Sequence, residues 1–214
     1  MRSKFDEQLA LLNRDLTKMG SLCEEALALA AKALANADGQ TAAKIAPIDS
    51  EIDQMERTIE SLCLKLLLQQ QPVARDLRQI SAALKMITDM ERIGDQASDI
   101  AEIIGFLNGR IGTDAQYICQ MAVAAMRMVT GSVEAYVKRD VAMAEATIQH
   151  DDVVDDLFLK VKESLIQMIS ENPKDGEYAL DLLMIAKYFE RIGDHATNIA
   201  EWVVFSVTGV HEQG

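Results

Sequence analysis

Aromatic residues supply only 5% of this 214-residue chain, which has three prolines and three cysteines. Against that scarcity, Ala, Leu, Met, Ile, Glu and Lys are abundant, the profile of an all-helical protein with aliphatic cores. Cys23, Cys63 and Cys119 are odd in number, far apart and without a CxxC pair. That excludes a disulfide framework or a zinc ribbon and leaves reduced, buried thiols. No stretch approaches 18 uncharged apolar residues, so nothing is expected to span a membrane. The N-terminal MRSKFDEQLALLNRD is charged and amphipathic rather than signal-like, and a cytoplasmic protein is expected. Basic residues are outnumbered, 21 to 34, for a net charge of −13. With no local basic cluster to offset the repulsion, nucleic-acid binding is not expected. No nucleophile–base pair, phosphate-cradling glycine loop or nucleotide motif occurs, so no enzyme is expected.

What the chain does have is a pentapeptide used twice. Glu-Arg-Ile-Gly-Asp occurs at Glu91–Asp95 and again at Glu190–Asp194. The match extends from ERIGDQASDIAE to ERIGDHATNIAE, with nine of twelve positions identical at an offset of 99 residues. A unit of that length is a duplicated domain rather than a solenoid repeat.

Apolar residues recur at three and four from Lys4 to Asn36, where Asn-Ala-Asp-Gly signals a turn. A second helix runs to about Gln70, its regular start delayed or kinked by Pro47. After Gln-Gln-Gln-Pro a third helix spans about Arg75–Leu107 and carries the first ERIGD. Asn108–Gly112 has the composition of a linker, and the boundary is placed there, giving halves 1–109 and 110–214. The second half repeats the order: Asp114–Lys138, Ala142–Ser170 and Tyr178–Val207, with Asn-Pro-Lys-Asp-Gly before the last helix. The expected fold is all-α, two tandem three-helix bundles related by internal duplication.

The chemistry is in carboxylates. At about 100° per residue, Asp95, Asp99 and Glu102 fall within about 80° of Glu91, opposite Ile93, Ala97, Ile100 and Ile104. Glu190, Asp194, Asn198 and Glu201 form the second copy. Asp49, Asp53, Glu56 and Glu60 make a related stripe in helix two. Its counterpart keeps only Asp151 and Asp155, because an offset of 102 residues sets Phe158 against Glu56 and Lys162 against Glu60. Like charges one turn apart are mildly unfavourable, so stacked pairs suggest an offsetting cation, for which carboxylates are hard oxygen ligands. A merely solvated acidic face is the alternative. Gly94 and Gly193, mid-helix, imply close approach by a neighbouring backbone. Arg92 and Arg191 are read as ion-pairing or orienting residues, and His195, off the stripe, as a surface or interface histidine. A di-metal oxidase would need Glu-x-x-His pairs, which neither copy has.

ERIGDxAxxIAE in the last helix of each half, with Asp49/Asp53 and Asp151/Asp155 in the middle helices, resembles the PhoU family over essentially the whole chain. The resemblance implies a tandem three-helix-bundle regulator of phosphate homeostasis. Such a protein restrains a high-affinity phosphate ABC transporter and links it to a phosphate-sensing histidine kinase. The output is repression of the phosphate-starvation response. The implied partners are the transporter's ATPase subunit and that kinase, with membrane association only through them, and a homodimer is the expected assembly. Implied cofactors are divalent or trivalent ions (iron, zinc, manganese or magnesium) on Asp49, Asp53, Glu91, Asp95 and Asp99, then Asp151, Asp155, Glu190, Asp194 and Asn198. Asn198 departs from the carboxylate pattern, and the second half is expected to bind metal more weakly. A structural adaptor without metal is the other reading.

Overall fold

A computed structural model describes residues 2–69, 72–107, 109–112 and 115–210. The expectations that fall on Gln70, Asn108 and Asp114 lie outside these. Among the described residues every regular element is helical: α1 (Arg2–Asn36), α2 (Gly39–Ala42), α3 (Ile45–Gln69), α4 (Ala74–Phe106), α5 (Gln116–Lys138), α6 (Val141–Gln149), α7 (Asp151–Glu171) and α8 (Gly176–Thr208), with a 3₁₀ turn at Pro173–Asp175. Counting α2 with α3 and α6 with α7, these are two three-helix bundles in tandem.

Each middle helix starts with a short capped piece. Asp38 accepts from the Gln40 amide at 2.9 Å and Asp140 from the Met143 amide at 3.1 Å, satisfying N-terminal donors that no helical carbonyl can reach. The residues just before them, Ala37 and Arg139, reverse the chain in the left-handed region, at φ 53° and 55°. Pro47 falls in the first turn of α3, where its missing N–H leaves no hydrogen bond unmade. The second half differs from the single expected helix over Ala142–Ser170. His150 interrupts it, bonding back to the Thr147 carbonyl while its own carbonyl accepts from Val153, so that α7 begins anew at Asp151. The break sets Asp151 in the first turn of a helix.

The apolar stripes meet in one continuous core shared by both repeats. Ile93, Ala97 and Ile100 are fully buried, as are Ile192, Ala196, Ile199 and Val203. Burying each branched side chain contributes about 1.5–3 kcal/mol, and that contribution holds the opposite, acidic stripes outward. The two ERIGD helices, α4 and α8, pack against each other at the centre, and α1 lies against α5. No helix among the described residues is long and apolar enough to cross a membrane.

Candidate metal centre

In the first repeat α3 and α4 bring three carboxylates together. One oxygen each from Asp49, Asp53 and Asp95 lies within 4.8 Å of the others, and all three residues are half-buried. Asp49 is the innermost. Its Oδ1 is fully buried and has no hydrogen-bond partner, and it lies 2.8 Å from where a Cβ on Gly94 would stand. The mid-helix glycine therefore makes room for a carboxylate from α3, not for the neighbouring backbone that its position suggested. Burial pushes the Asp49 carboxyl above the usual range, Ser98 partly offsets this by hydrogen bonding, and Asp95, Asp53 and Asp99 add to the rise. Glu91 is raised by burial and then by Asp95, and Glu56 by burial and then by Glu60.

Glu91 and Asp99 stand outside the convergent triple. Arg92 reaches both Glu91 (3.5 Å) and Asp95 (3.3 Å), and Arg57 reaches Asp53 (3.4 Å). These ion pairs lie at the rim, where solvent screens them. They leave the buried Asp49 oxygen unmatched. An orphaned carboxylate oxygen flanked by two more is a donor set that suits a hard cation.

The second repeat repeats the frame without the convergence. Asp151 again lies against the glycine, its Oδ1 3.2 Å from a Cβ on Gly193. Burial, with Asp194, Asp155, Asp152 and Glu190 around it, pushes its carboxyl up to about 6. Asp155 and Asp194 are exposed, however, and no triple of the kind in the first repeat forms here among the described residues. Cations of the chain's own occupy this face. Lys187, at the position of Thr88 in the first repeat, is ion-paired with Glu190 and lies 5.5 Å from the Phe158 ring centroid. Lys162 approaches the same ring at 5.8 Å. Arg191 sits over Tyr188 at 6.0 Å, unlike Arg92.

Asn198 serves the α4–α8 contact. Its Nδ2 donates to Asp89 Oδ1 at 3.1 Å, and His195 Nδ1 bonds the same oxygen at 2.8 Å. The other nitrogen of His195 meets Gln96 Nε2 at 3.2 Å. His195 is thus an interface histidine. Gln96 and His195 are repeat-equivalent, and so are Asp89 and Tyr188, and Asp99 and Asn198. Tyr188 faces Asp99 as Asn198 faces Asp89, and burial together with the Asp99 carboxylate raises its phenol. Sequence reasoning missed Asp89, Tyr188 and Gln96 because their partners lie about one repeat away. Lys187 was within reach, since the 99-residue offset aligns it with Thr88.

A family model described as the PhoU domain matches twice, at residues 16–104 and 118–203. The chain is 36% identical over 210 residues to a phosphate-specific transport system accessory protein PhoU homolog of Clostridium acetobutylicum, covering 97% of this chain and 96% of that one. The homolog of the same name from Pseudomonas aeruginosa is 33% identical, over 96% and 86%. The crystal structure of PhoU from Pseudomonas aeruginosa superposes with a TM-score of 0.93 at 33% identity, over 96% of this chain and all of that one. The phosphate transport system regulatory protein PhoU from Streptococcus pneumoniae gives 0.88 at 26% identity, over 98% and 99%. With its duplicated ERIGD helices, its paired aspartates and matches to both repeats, the chain belongs to the PhoU family.

Proposed function

We propose that this protein is a non-enzymatic regulator of phosphate uptake that restrains a phosphate ABC transporter and reports phosphate sufficiency to a histidine kinase. The family supports a role accessory to phosphate transport, since full-length relatives carry that description and none of those named above is called an enzyme. Contact with the transporter's ATPase subunit, contact with a phosphate-sensing kinase and pairing into a homodimer are part of the proposal. So is the division into halves 1–109 and 110–214.

The observation that carries the metal part is the buried, unpartnered Oδ1 of Asp49 beside Asp53 and Asp95. Asp49, Asp53 and Asp95 would hold the ion, with Glu91 and Asp99 within the same acidic face. An all-oxygen donor set favours magnesium, manganese or iron over zinc, which prefers nitrogen and sulfur. Bound there, the ion would neutralise the face and tie α3 to α4. Asp151, Asp155, Glu190 and Asp194 would form a weaker second site, because Lys187, ion-paired with Glu190, already offsets part of their charge.

The test is co-purification with the transporter ATPase and the kinase from cells grown at high and at low phosphate, with elemental analysis of protein prepared without chelator. Binding to at least one partner that changes with phosphate is expected, with metal present. Failure to bind either partner defeats the regulatory reading. Partner binding with no metal in either repeat and no metal-dependent stabilisation leaves a metal-free helical adaptor.

A further inference from the structure

On the side of the molecule where the two repeats meet, α1, α4, the end of α5 with the turn after it, and α8 line a half-open cavity of ≈ 410 Å³, at whose rim Arg14 and Arg139 are exposed. It shares no residue with the acidic faces. In a chain with 34 acidic residues, its lining contains two arginines, Arg14 and Arg139, and no carboxylate. Neither guanidinium has an ion-pair partner among the described residues. Asp140, next to Arg139, is committed to capping α6, and Asp15 and Asp76 stand outside the lining.

The other polar groups of the lining hydrogen-bond one another. Asn13 Oδ1 accepts from Gln79 Nε2 at 2.9 Å and from the Tyr136 hydroxyl at 2.8 Å. With Gln79 Nε2 and the Tyr136 hydroxyl as donors, the Asn13 amide turns its oxygen toward them and keeps its N–H₂ as a further donor. Arg139 adds a second argument. It occupies the left-handed turn after α5, where glycine is the relaxed choice. The equivalent turn after α1 is held by Ala37, so the fold requires the turn but not an arginine in it.

We infer that this inter-repeat cavity binds a small phosphate-bearing anion between Arg14 and Arg139, with the Asn13 amide as a third donor. Two guanidinium forks suit a tetrahedral, multiply charged oxyanion better than a halide. The volume lies in the range of small-molecule sites and admits either free phosphate or a phosphate ester such as a nucleotide. The inference is independent of the metal proposal.

The test is calorimetric titration of chelator-treated, full-length protein with inorganic phosphate and, separately, with ATP, at constant ionic strength, with chloride and sulfate as controls. Saturable binding of phosphate or ATP is expected, and whichever binds more tightly identifies the source of the phosphate group. Arg139→Gly should weaken it about tenfold or more while raising Tm, because it removes the charge and relaxes the turn. Arg14→Gln should weaken it by a similar factor. Binding unchanged in both variants, binding equalled by chloride, or no binding in the millimolar range would overturn the inference. So would binding seen only before chelation, which would place the anion on metal at the acidic face.

Discussion

Gly94 and Asp49 belong together, because the helix gives up a side chain where a carboxylate of its neighbour is buried. A methyl group on Gly94 would meet Asp49 Oδ1 at 2.8 Å and Ile52 Cδ1 at 3.0 Å. Gly94→Ala should therefore destabilise the protein by about 1–3 kcal/mol in urea melts and reduce metal uptake. Gly193→Ala, with its nearest contact at 3.2 Å, should cost less. Equal effects would argue against the carboxylate as the reason for the glycine. Asp151 makes a pH prediction. Burial and the carboxylates around it push its carboxyl up to about 6 in the folded protein, against an ordinary 3.8. A raised folded pKa means that the charged form is the one disfavoured by folding. The stability it contributes is complete below 3.8 and is lost as pH rises through about 6. In chelated protein Tm should fall across that window, and Asp151→Asn should flatten part of the fall. Partial exposure keeps the effect modest.

At the level of helices, the carboxylate stripes were readable because the period of 3.6 residues sorts Asp, Glu and Ile onto opposite faces. What that period cannot say is which helix a stripe will meet. Asn198 looked like a weakened ligand when compared with Asp99, and the structure supplies its neighbour, Asp89 of α4. Asn198→Asp would set two carboxylates at the same contact. It should cost about 1–2 kcal/mol, through a lost hydrogen bond and new repulsion. Adding Asp89→Asn should recover most of it in a double-mutant cycle. Additive losses would mean that the pair is uncoupled.

For the whole molecule, duplication, helical class and chain breaks at Asn-Ala-Asp-Gly and Asn-Pro-Lys-Asp-Gly could be read directly, because each has a local cause. The break at His150 had no glycine or proline to announce it. The inequality of the two acidic faces was legible in Phe158 and Lys162, and the ammonium of Lys187 beside Glu190 adds to it. Lys187→Thr copies the first repeat. Together with Lys162→Glu it should raise the number of metal ions bound in a titration, with no loss at the Asp49 site. Unchanged stoichiometry would show that the lysines are not what limits the second face.

The crossed contacts of α4 and α8 also bear on whether the halves could ever be separate polypeptides. A first repeat pairing with its own copy in the same geometry would set Asp89 against Asp99, a clash of charges. A second repeat doing so would set Tyr188 against Asn198 and lose both carboxylate acceptors. Only the unlike combination yields the Asn198–Asp89 hydrogen bond and sets Tyr188 beside Asp99. Co-expressed as two fragments, the halves should therefore complement each other in a one-to-one heterodimer detectable by native mass spectrometry, in preference to either self-pair. Divergence after duplication has in this way left each half with a lock that only its sister opens.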